Sequence, residues 1–229
     1  MGVRVSKSRL AAAVANEGAA GIIAGSGLGE YEKMTKTSFQ QINQDTLSEE
    51  IRLARKKTSG IIGVNVMVAV SDYKSLIDVC VKENVDMIIS GAGLPLNLPA
   101  LTAGTPIKLI PIISSVRTLK IIYKKWVNTY NHYPDAIIIE GMQAGGHLGY
   151  SSDQIIQGNP TLEETVSEVV AFCNQLPKPI PVIAAGGVFS GADINRFLRL
   201  GASGVQMATR FVCTHECDVN IKFKQTYLN

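Results

Sequence analysis

The sequence contains few aromatic residues, few cysteines and little net charge, and it has no long hydrophobic run. Phe, Trp and Tyr make up 6% of its 229 residues, so the core is expected to be aliphatic. Four cysteines are too few for a disulfide scaffold and predict a reduced, cytoplasmic protein. The longest apolar run, residues 61–70, is interrupted by Asn65 and is about half of the roughly 20 residues that span a bilayer. Since the chain does not open with a signal peptide, in which a charged segment is followed by an apolar one, we expect neither secretion nor targeting to a membrane.

The charge balance argues against a nucleic-acid partner. The chain has twenty-two basic and nineteen acidic residues, which gives a net charge of +3. This balance is too even for the basic surface patch that is typical of nucleic-acid-binding proteins. Cys213 and Cys217 flank His215, but a second ligand pair at the usual zinc spacing is missing, so no metal is expected. The 46% hydrophobic content excludes disorder for most of the chain. The oligomeric state stays open, with a homodimer among the alternatives.

Short β-branched runs alternate with longer amphipathic stretches along the chain. Strands are predicted at residues 20–24, 63–68, 85–90, 108–114, 136–140, 181–185 and 204–209. Helices are predicted near residues 8–17, 46–58, 73–83, 98–103, 115–130, 162–175, 191–200 and 215–228. Strands such as 137–139 are apolar throughout, which is typical of a parallel sheet whose outer face is covered by helices. The alternation therefore predicts an α/β fold with a parallel sheet.

The number of predicted strands narrows the kind of α/β fold. Seven strands are predicted, whereas a closed (β/α)8 barrel has eight, and the first predicted element is a helix. We therefore predict a (β/α)8 TIM barrel that lacks its first strand and its C-terminal helical end and forms a single domain over residues 1–229. The stretch 153–160 contains Asp, Gln, Gly, Asn and Pro, and it is predicted to be a long surface loop.

The carboxyl ends of the strands carry the candidate site, because active sites of such barrels lie there. Gly186 and Gly187 follow the sixth predicted strand, and residues 206–209 end the seventh. Exposed backbone N–H groups in these two loops, together with the Thr209 hydroxyl, favour binding of a phosphate group. The alternative is that the glycines only form tight turns. A Rossmann-type site at residues 25–29 is improbable, because G-S-G-L-G differs from the G-x-G-x-x-G spacing.

A histidine follows the fifth predicted strand. His147 lies among Gly145, Gly146 and Gly149, and an imidazole can serve as a general base or acid near neutral pH. A lone histidine in a loop is often only a polar turn residue, so the catalytic interpretation depends on the neighbouring phosphate site. His132 precedes a strand instead of following one, and we predict a structural role for it.

Three segments resemble signatures of the nitronate monooxygenases. They are residues 140–149 (E-G-M-Q-A-G-G-H-L-G), 181–187 (P-V-I-A-A-G-G) and 201–211 (G-A-S-G-V-Q-M-A-T-R-F). The start of the chain and residues 63–67 (G-V-N-V-M) are also similar to the early segments of this family. The resemblance implies an FMN-dependent TIM-barrel enzyme, with the flavin-type enoyl-acyl-carrier-protein reductases as close relatives.

The resemblance also implies roles for individual residues. His147 falls on the catalytic histidine of the family, and no metal ligand is implied. Two positions depart from the family pattern, since Ala208 stands where glycine is usual and Glu140 stands where nitronate monooxygenases often have Gln. The implied FMN contacts are Met1, Gly2, Asn65, Glu140, Gly145, Gly146, Gly186, Gly187, Gln206, Met207, Ala208 and Thr209.

The reaction implied by the resemblance is oxidation of an alkyl nitronate or nitroalkane with O2 to a carbonyl compound and nitrite, with His147 as general base. The form Glu140-Gly-Met is closer to the reductase branch, so an FMN-dependent enoyl-acyl-carrier-protein reductase with a nicotinamide donor stays open as an alternative. A second alternative is a non-catalytic module that binds FMN or another phosphorylated ligand. In the two enzymatic hypotheses the flavin supplies the redox chemistry and the protein orients the substrate.

Overall fold

Strands and helices alternate along the part of the chain that the structure describes. The computed structural model describes residues 2, 4–29, 38–146, 148–158 and 160–227. The chain forms two units, a first unit of Met1–Ile89, Leu101–Lys108 and Thr209–Asn229 and a second unit of Ser90–Ala100 and Leu109–Ala208. Within the described residues, no helix has both the length and the apolar character needed to cross a bilayer.

The described elements follow one another in a regular order. The strands are β1 (Gly21–Ala24), β2 (Ile62–Met67), β3 (Met87–Gly91), β4 (Lys108–Ile113), β5 (Ile137–Glu140), β6 (Val182–Ala185) and β7 (Gly204–Gln206). The α-helices are α1 (Ser8–Asn16), α2 (Phe39–Arg55), α3 (Tyr73–Lys82), α4 (Leu98–Leu101), α5 (Val116–Tyr130), α6 (Ser152–Gln157), α7 (Leu162–Asn174), α8 (Gly191–Arg199) and α9 (Ile221–Gln225). A 3₁₀ helix covers Thr209–Phe211.

In the first unit, helices pack on a pair of parallel strands. β1 pairs with β2 from Gly21↔Ile62 to Ala24↔Asn65. α1 lies so close to β1 that any side chain at Gly21 would collide with the carbonyl oxygen of Ala11. α2 packs against α3, and α3 packs against β2. The aliphatic side chains between these helices and strands are fully buried, including Leu47, Ile51, Val64, Leu76 and Ile77.

Two acidic side chains hold the start of α1. The Asp218 carboxylate accepts hydrogen bonds from the backbone N–H groups of Lys7 (3.1 Å) and Leu10 (3.3 Å), whereas Lys7, the N-cap residue, supplies no side-chain cap. The buried Glu50 carboxylate accepts the N–H of Ser8 at 2.9 Å and pairs with the Lys7 ammonium at 2.8 Å. Burial alone would raise the pKa of Glu50, but the hydrogen bonds from Lys7 and Ser8 hold it below its ordinary value.

In the second unit, four parallel strands form a sheet in the order β4-β5-β6-β7. Glu140 at the end of β5 pairs with Ala185 at the end of β6, and Ala185 pairs with Gln206 at the end of β7. α7 packs on β5 and β6, and α8 packs on β7. β5 is apolar on both faces, as a parallel strand covered by helices requires, and its buried residues are Ile137, Ile138 and Ile139.

The predicted alternation is confirmed, and with it the α/β class. All seven predicted strands are present. The last strand is shorter than predicted and ends at Gln206, because the chain turns into a 3₁₀ helix at Thr209. α2 begins at Phe39, well before the predicted start at residue 46, because the Ser38 side chain accepts the N–H of Gln41 and caps the helix there.

One prediction near the surface is wrong, and the extent of another is corrected. Residues 153–160 are not a continuous loop, because a capping box between Ser151 and Gln154 starts α6 and Gly158, in the left-handed conformation, ends it. The helix predicted at residues 215–228 is reduced to α9. The carbonyl oxygens of Thr214 and Cys217 accept hydrogen bonds from the Lys224 ammonium at 2.6 and 2.9 Å instead of continuing a helix. The single-domain prediction stays a prediction.

Candidate functional site in the second unit

The carboxyl ends of β5, β6 and β7 form the candidate site of the second unit. Because Glu140, Ala185 and Gln206 are paired across these strands, the segments that follow them start side by side. Gly141 begins the loop after β5, and its N–H donates to the carbonyl oxygen of Ala185 at 2.8 Å. The structure therefore gathers at this edge the predicted residues Glu140, Gly145, Gly146, Gly186, Gly187 and Gln206.

Gly186 lies against the backbone of the loop after β5. Its φ is +99°, and a Cβ atom there would lie 3.0 Å from both the Ala144 nitrogen and the Gly141 oxygen. The Ala144 N–H in turn donates to the Gly141 carbonyl at 3.0 Å, so the loop is already folded tightly where Gly186 meets it. Both the left-handed conformation and the close approach require glycine at this position.

Gly187 is covered by a side chain that the sequence did not single out. Its φ is +75°, and a Cβ atom there would collide with the Oε1 atom of Gln143. The Gln143 amide therefore lies over the loop after β6 and offers both a donor and an acceptor there. Its role depends on a contact between two loops, which no short motif in the sequence reveals.

Gly145 and Gly146 face open space. A Cβ atom at either position would meet nothing within 4 Å, and both residues are exposed. Gly146 has a φ of +109°, whereas Gly145 does not need glycine for its backbone conformation. Room beside the backbone is what a flat ligand such as a flavin ring, or a phosphate group, requires for close approach. The loop thus fits the predicted ligand.

The start of α8 offers fewer donors to a phosphate than predicted. Ser190 and Asp193 form a capping box, and the Asp193 carboxylate accepts the N–H groups of Phe189 (3.1 Å) and Ser190 (2.8 Å). The hydrogen bonds from Ser190 and Phe189 hold the pKa of Asp193 below its ordinary value. The expectation of exposed N–H groups in this loop is therefore corrected for Phe189 and Ser190.

A cavity of about 320 Å³ opens beside the end of β5. Glu140 is half-buried at its edge, and burial raises the pKa of its carboxyl group. The residues that line the cavity are Ala92, Gly93, Leu94, Ile112, Ile113, Ser114, Thr118, Glu140, Leu148 and Gly149.

Two hydroxyl groups anchor the loop after β5 by donating hydrogen bonds to backbone carbonyl groups. The Tyr150 hydroxyl donates to the backbone carbonyl of Glu140 at 3.0 Å. The Ser114 hydroxyl donates to the carbonyl of Gly149 at 3.0 Å. Burial raises the pKa of Tyr150, a hydrogen bond with Thr165 lowers it, and the nearby Glu140 carboxyl raises it further. No motif in the sequence singles out Tyr150, although its position directly after the histidine loop is a signal that could have pointed to it.

The other predicted site residues lie elsewhere or outside the described part of the chain. Met207 and Ala208 follow β7 in the second unit and are half-buried. Asn65 lies in β2, Thr209 begins the 3₁₀ helix, and Gly2 is exposed, all three in the first unit. Met1 and His147 lie outside the described residues. The assignments of all these residues to FMN contact or catalysis stay predictions.

Comparisons with known proteins agree with the fold. The profile of the nitronate monooxygenase family matches residues 1–229. The (3aS,4S,5R,7aS)-5-hydroxy-7a-methyl-1-oxo-octahydro-1H-indene-4-carboxyl-CoA dehydrogenase of Rhodococcus jostii (strain RHA1) is 29% identical over 224 residues, which cover 98% of this chain and 54% of that protein. The chain thus spans about half the length of this curated relative.

Two solved structures are similar over nearly the whole chain. FabK from Thermotoga maritima aligns with a TM-score of 0.75 and 31% identity over 96% of this chain and 60% of that one. A nitroalkane oxidase from Streptomyces ansochromogenes aligns with a TM-score of 0.79 over 100% of this chain and 69% of its own, at 22% identity, which supports the fold alone.

These solved structures share the fold of this chain, so the predicted barrel class is confirmed. Since the family profile covers all of residues 1–229, the chain belongs to the nitronate monooxygenase family. The family resemblance noted from three sequence motifs is therefore confirmed.

Proposed function

We propose that this chain is the flavin-binding barrel of an FMN-dependent oxidoreductase that oxidises alkyl nitronates or nitroalkanes with O2 to carbonyl compounds and nitrite. Membership of the nitronate monooxygenase family supports the reaction class. The observation that carries the assignment to a site is the open space beside Gly145 and Gly146, in the loop that Gly186 contacts through its backbone.

The residues that would hold the flavin in the second unit are backbone groups. Gly145 and Gly146 leave their peptide planes accessible, and the Gln143 amide lies over Gly187 with a free choice of donor or acceptor. Asp193 already occupies the N–H groups at the start of α8. The stretch from Gly186 to Gly187 and the Gln143 amide are therefore the groups proposed to meet the phosphate end of the ligand.

When bound, FMN supplies the redox chemistry. The chain would supply the proton transfer and the substrate pocket. His147, in its neutral form, is proposed to take the α-proton of a nitroalkane, and this role rests on the family resemblance. The apolar walls of the cavity beside Glu140 would exclude water from the uncharged part of a small substrate.

An FMN-dependent enoyl-acyl-carrier-protein reductase is the second candidate, and two observations favour it. The chain is 31% identical to FabK over 96% of its length, and its Rhodococcus relative is named as a dehydrogenase of a CoA thioester.

Two measurements on the purified protein separate these candidates. Rapid flavin reduction by NADH without oxygen would favour the reductase, and nitronate-dependent O2 uptake would favour the monooxygenase. Substitution of His147 by Ala tests the base, with the exposed His215→Ala as a matched control. Loss of turnover in His147→Ala with flavin still bound supports the proposal, and unchanged turnover would show that another group is the base.

A further inference from the structure

The loop between β5 and α7 closes on itself at its base. Gly141 begins the loop and Leu162 ends it, and a Cβ atom on Gly141 would lie 3.1 Å from the Cβ atom of Leu162. The Tyr150 hydroxyl ties the middle of the loop to this base, because it donates to the Glu140 carbonyl at 3.0 Å. Compact surface loops whose ends lie close together often carry function. Tyr150 therefore divides the loop into a glycine-rich part and a second part that contains α6.

The second part of the loop contributes no side chain to the core of its unit. All residues 151–158 are exposed, and α6 buries none of its side chains. They nevertheless include Ile155, which is 43% exposed, and Ile156, which is 82% exposed. α6 is a formed helix despite this exposure, since the capping box at Ser151 starts it and Gly158 ends it. Two isoleucines presented in this way are stabilised when another apolar surface covers them.

The mouth of the cavity beside Glu140 lies within reach of these isoleucines. Tyr150, directly before residues 151–158, is tied to Glu140, which lines the cavity. Ile156 follows Tyr150 by only six residues, about 9 Å along a helix axis. The cavity extends from Leu148, after β5, to Leu94, after β3, and β4 lies between these two strands. Two strand spacings are about 10 Å, so α6 is long enough to cover the mouth.

The ends of residues 151–158 allow this segment to turn as one body. The Tyr150 hydroxyl fixes the chain on one side, so a rotation must occur after it. On the other side, a Cβ atom on Gly158 would meet nothing within 4 Å, and glycine accepts a wide range of φ and ψ. The capping box between Thr161 and Glu164 then holds the start of α7. Residues at the ends of an element are typical hinges of active-site lids.

We propose that α6 is a lid that closes over the cavity when a ligand is bound, and that Ile155 and Ile156 then contact that ligand. The inference rests on the proposed function and adds to it the element that closes the site. Closure buries the two isoleucines against the apolar rim formed by Leu94 and Leu148 and excludes water from the reacting atoms. The cavity is favoured over a second copy of the chain as the cover, because both ends of the loop are tied beside the end of β5.

Disulfide trapping in the purified holoprotein tests closure without any ligand. Leu94 and Ile156 are changed to cysteine in a Cys213→Ser background, which leaves only the three buried cysteines of the chain. A disulfide needs Cα atoms within about 7 Å of each other, so it forms only if α6 reaches the far rim. The matched control is Leu94→Cys/Leu198→Cys. Leu198 is 43% exposed, but it lies near the end of α8, which leads to the start of β7 and thus to the opposite edge of the sheet.

Mild oxidation should form the Leu94→Cys/Ile156→Cys disulfide at least about tenfold faster than the control disulfide, because a tethered lid gives the first pair a high effective concentration. Peptide mass spectrometry and thiol titration follow the reaction. The oxidised variant should lose most of its turnover and regain it with dithiothreitol, whereas the control keeps its turnover. Turnover is measured with propyl nitronate and O2, and with crotonyl-CoA and NADH.

Ile155→Ser/Ile156→Ser tests the contact with the ligand. Because neither side chain is buried, the Tm should stay within about 1 °C of the wild type. The KM for the substrate that is turned over should rise by about tenfold, since the closed lid loses apolar contact area. Ile121→Ser is the matched control, because Ile121 is 44% exposed on α5, and it should change neither quantity. An unchanged KM in the double variant would overturn the contact.

The trapping result separates the lid from the proposed function. Disulfide formation no faster than in the control would overturn the lid, and so would a locked variant that stays active. Disulfide-linked dimers would overturn it in favour of a second copy of the chain. A failed trap in a protein that oxidises propyl nitronate would refute the lid and leave the proposed function standing. A trap that closes in a protein without that activity would do the reverse.

Discussion

Gly186 and Ala144 touch through their backbones, since a Cβ atom on Gly186 would lie 3.0 Å from the Ala144 nitrogen. The contact joins the loops that follow β5 and β6 in the second unit. It holds the loop that carries Gly145 and Gly146 against the end of the sheet. The open backbone of Gly145 and Gly146 thus belongs to a loop that is contacted by one glycine whose φ is +99°.

Substitution of Gly186 by Ala is expected to lower the free energy of unfolding by about 1–3 kcal/mol, because alanine must adopt a left-handed φ and clash with the loop. The FMN content of the purified Gly186→Ala variant should also fall. Gly191→Ala is the matched control, since its Cβ atom meets nothing within 4 Å and its φ is ordinary. Denaturant unfolding and flavin absorbance measure both quantities. Equal stability of the two variants would show that the contact carries no strain.

Gly145→Ala separates ligand contact from folding. The position has open space and an ordinary φ, so we expect the free energy of unfolding to change by less than about 0.5 kcal/mol. The added methyl group should nevertheless weaken FMN binding by about tenfold, because it occupies space proposed for the ligand. A flavin fluorescence titration against Gly191→Ala checks this. An unchanged dissociation constant would remove the loop from the flavin site.

The fold was largely predictable because its signals are local. Runs such as Ile137–Ile139 are apolar on both faces, and only a covered parallel strand accommodates that pattern. The capping box at Thr161 and Glu164, visible in the sequence, starts α7 as predicted. α6 was missed because it buries no residue and even Ile155 and Ile156 are exposed. Its start therefore depends on the capping box at Ser151 and not on hydrophobic periodicity.

The candidate site was predictable only in part. Glycines after strands mark its loops, but the cover of Gly187 by Gln143 depends on a distance between two loops. The raised pKa of Glu140 depends on burial, and the cap that Asp218 provides joins residues that are far apart in the chain. Relationships of this kind appear only when the chain is folded.

Glu140→Gln should stabilise the protein at neutral and alkaline pH. Burial raises the pKa of Glu140, so the folded state binds the proton more tightly than the unfolded state does. The contribution of Glu140 to stability is therefore fully present below its pKa in the unfolded state. This contribution is lost as the pH rises through its pKa in the folded state. Glutamine removes this decline, so we expect a Tm increase of roughly 2 °C at pH 8 and none near pH 4. Thermal melts of both proteins across this range check it, and a shift that is the same at both pH values would contradict it.

Asp218→Ala should destabilise the first unit by about 1 kcal/mol, because the N–H groups of Lys7 and Leu10 lose their acceptor at the start of α1. Asp218→Asn keeps an acceptor oxygen and should lose less. The exposed Asp78→Ala in α3 is the control. Amide hydrogen exchange of residues 8–16 reports the effect directly. Equal exchange in Asp218→Ala and Asp78→Ala would exclude the cap.

The most direct test of the central claim is identification of the small molecule that the purified protein releases on denaturation. We predict FMN, without covalent attachment and close to one equivalent per chain, with the absorbance bands of oxidised flavin before release. A protein that is colourless as isolated and takes up no FMN when the cofactor is supplied in excess would contradict the account.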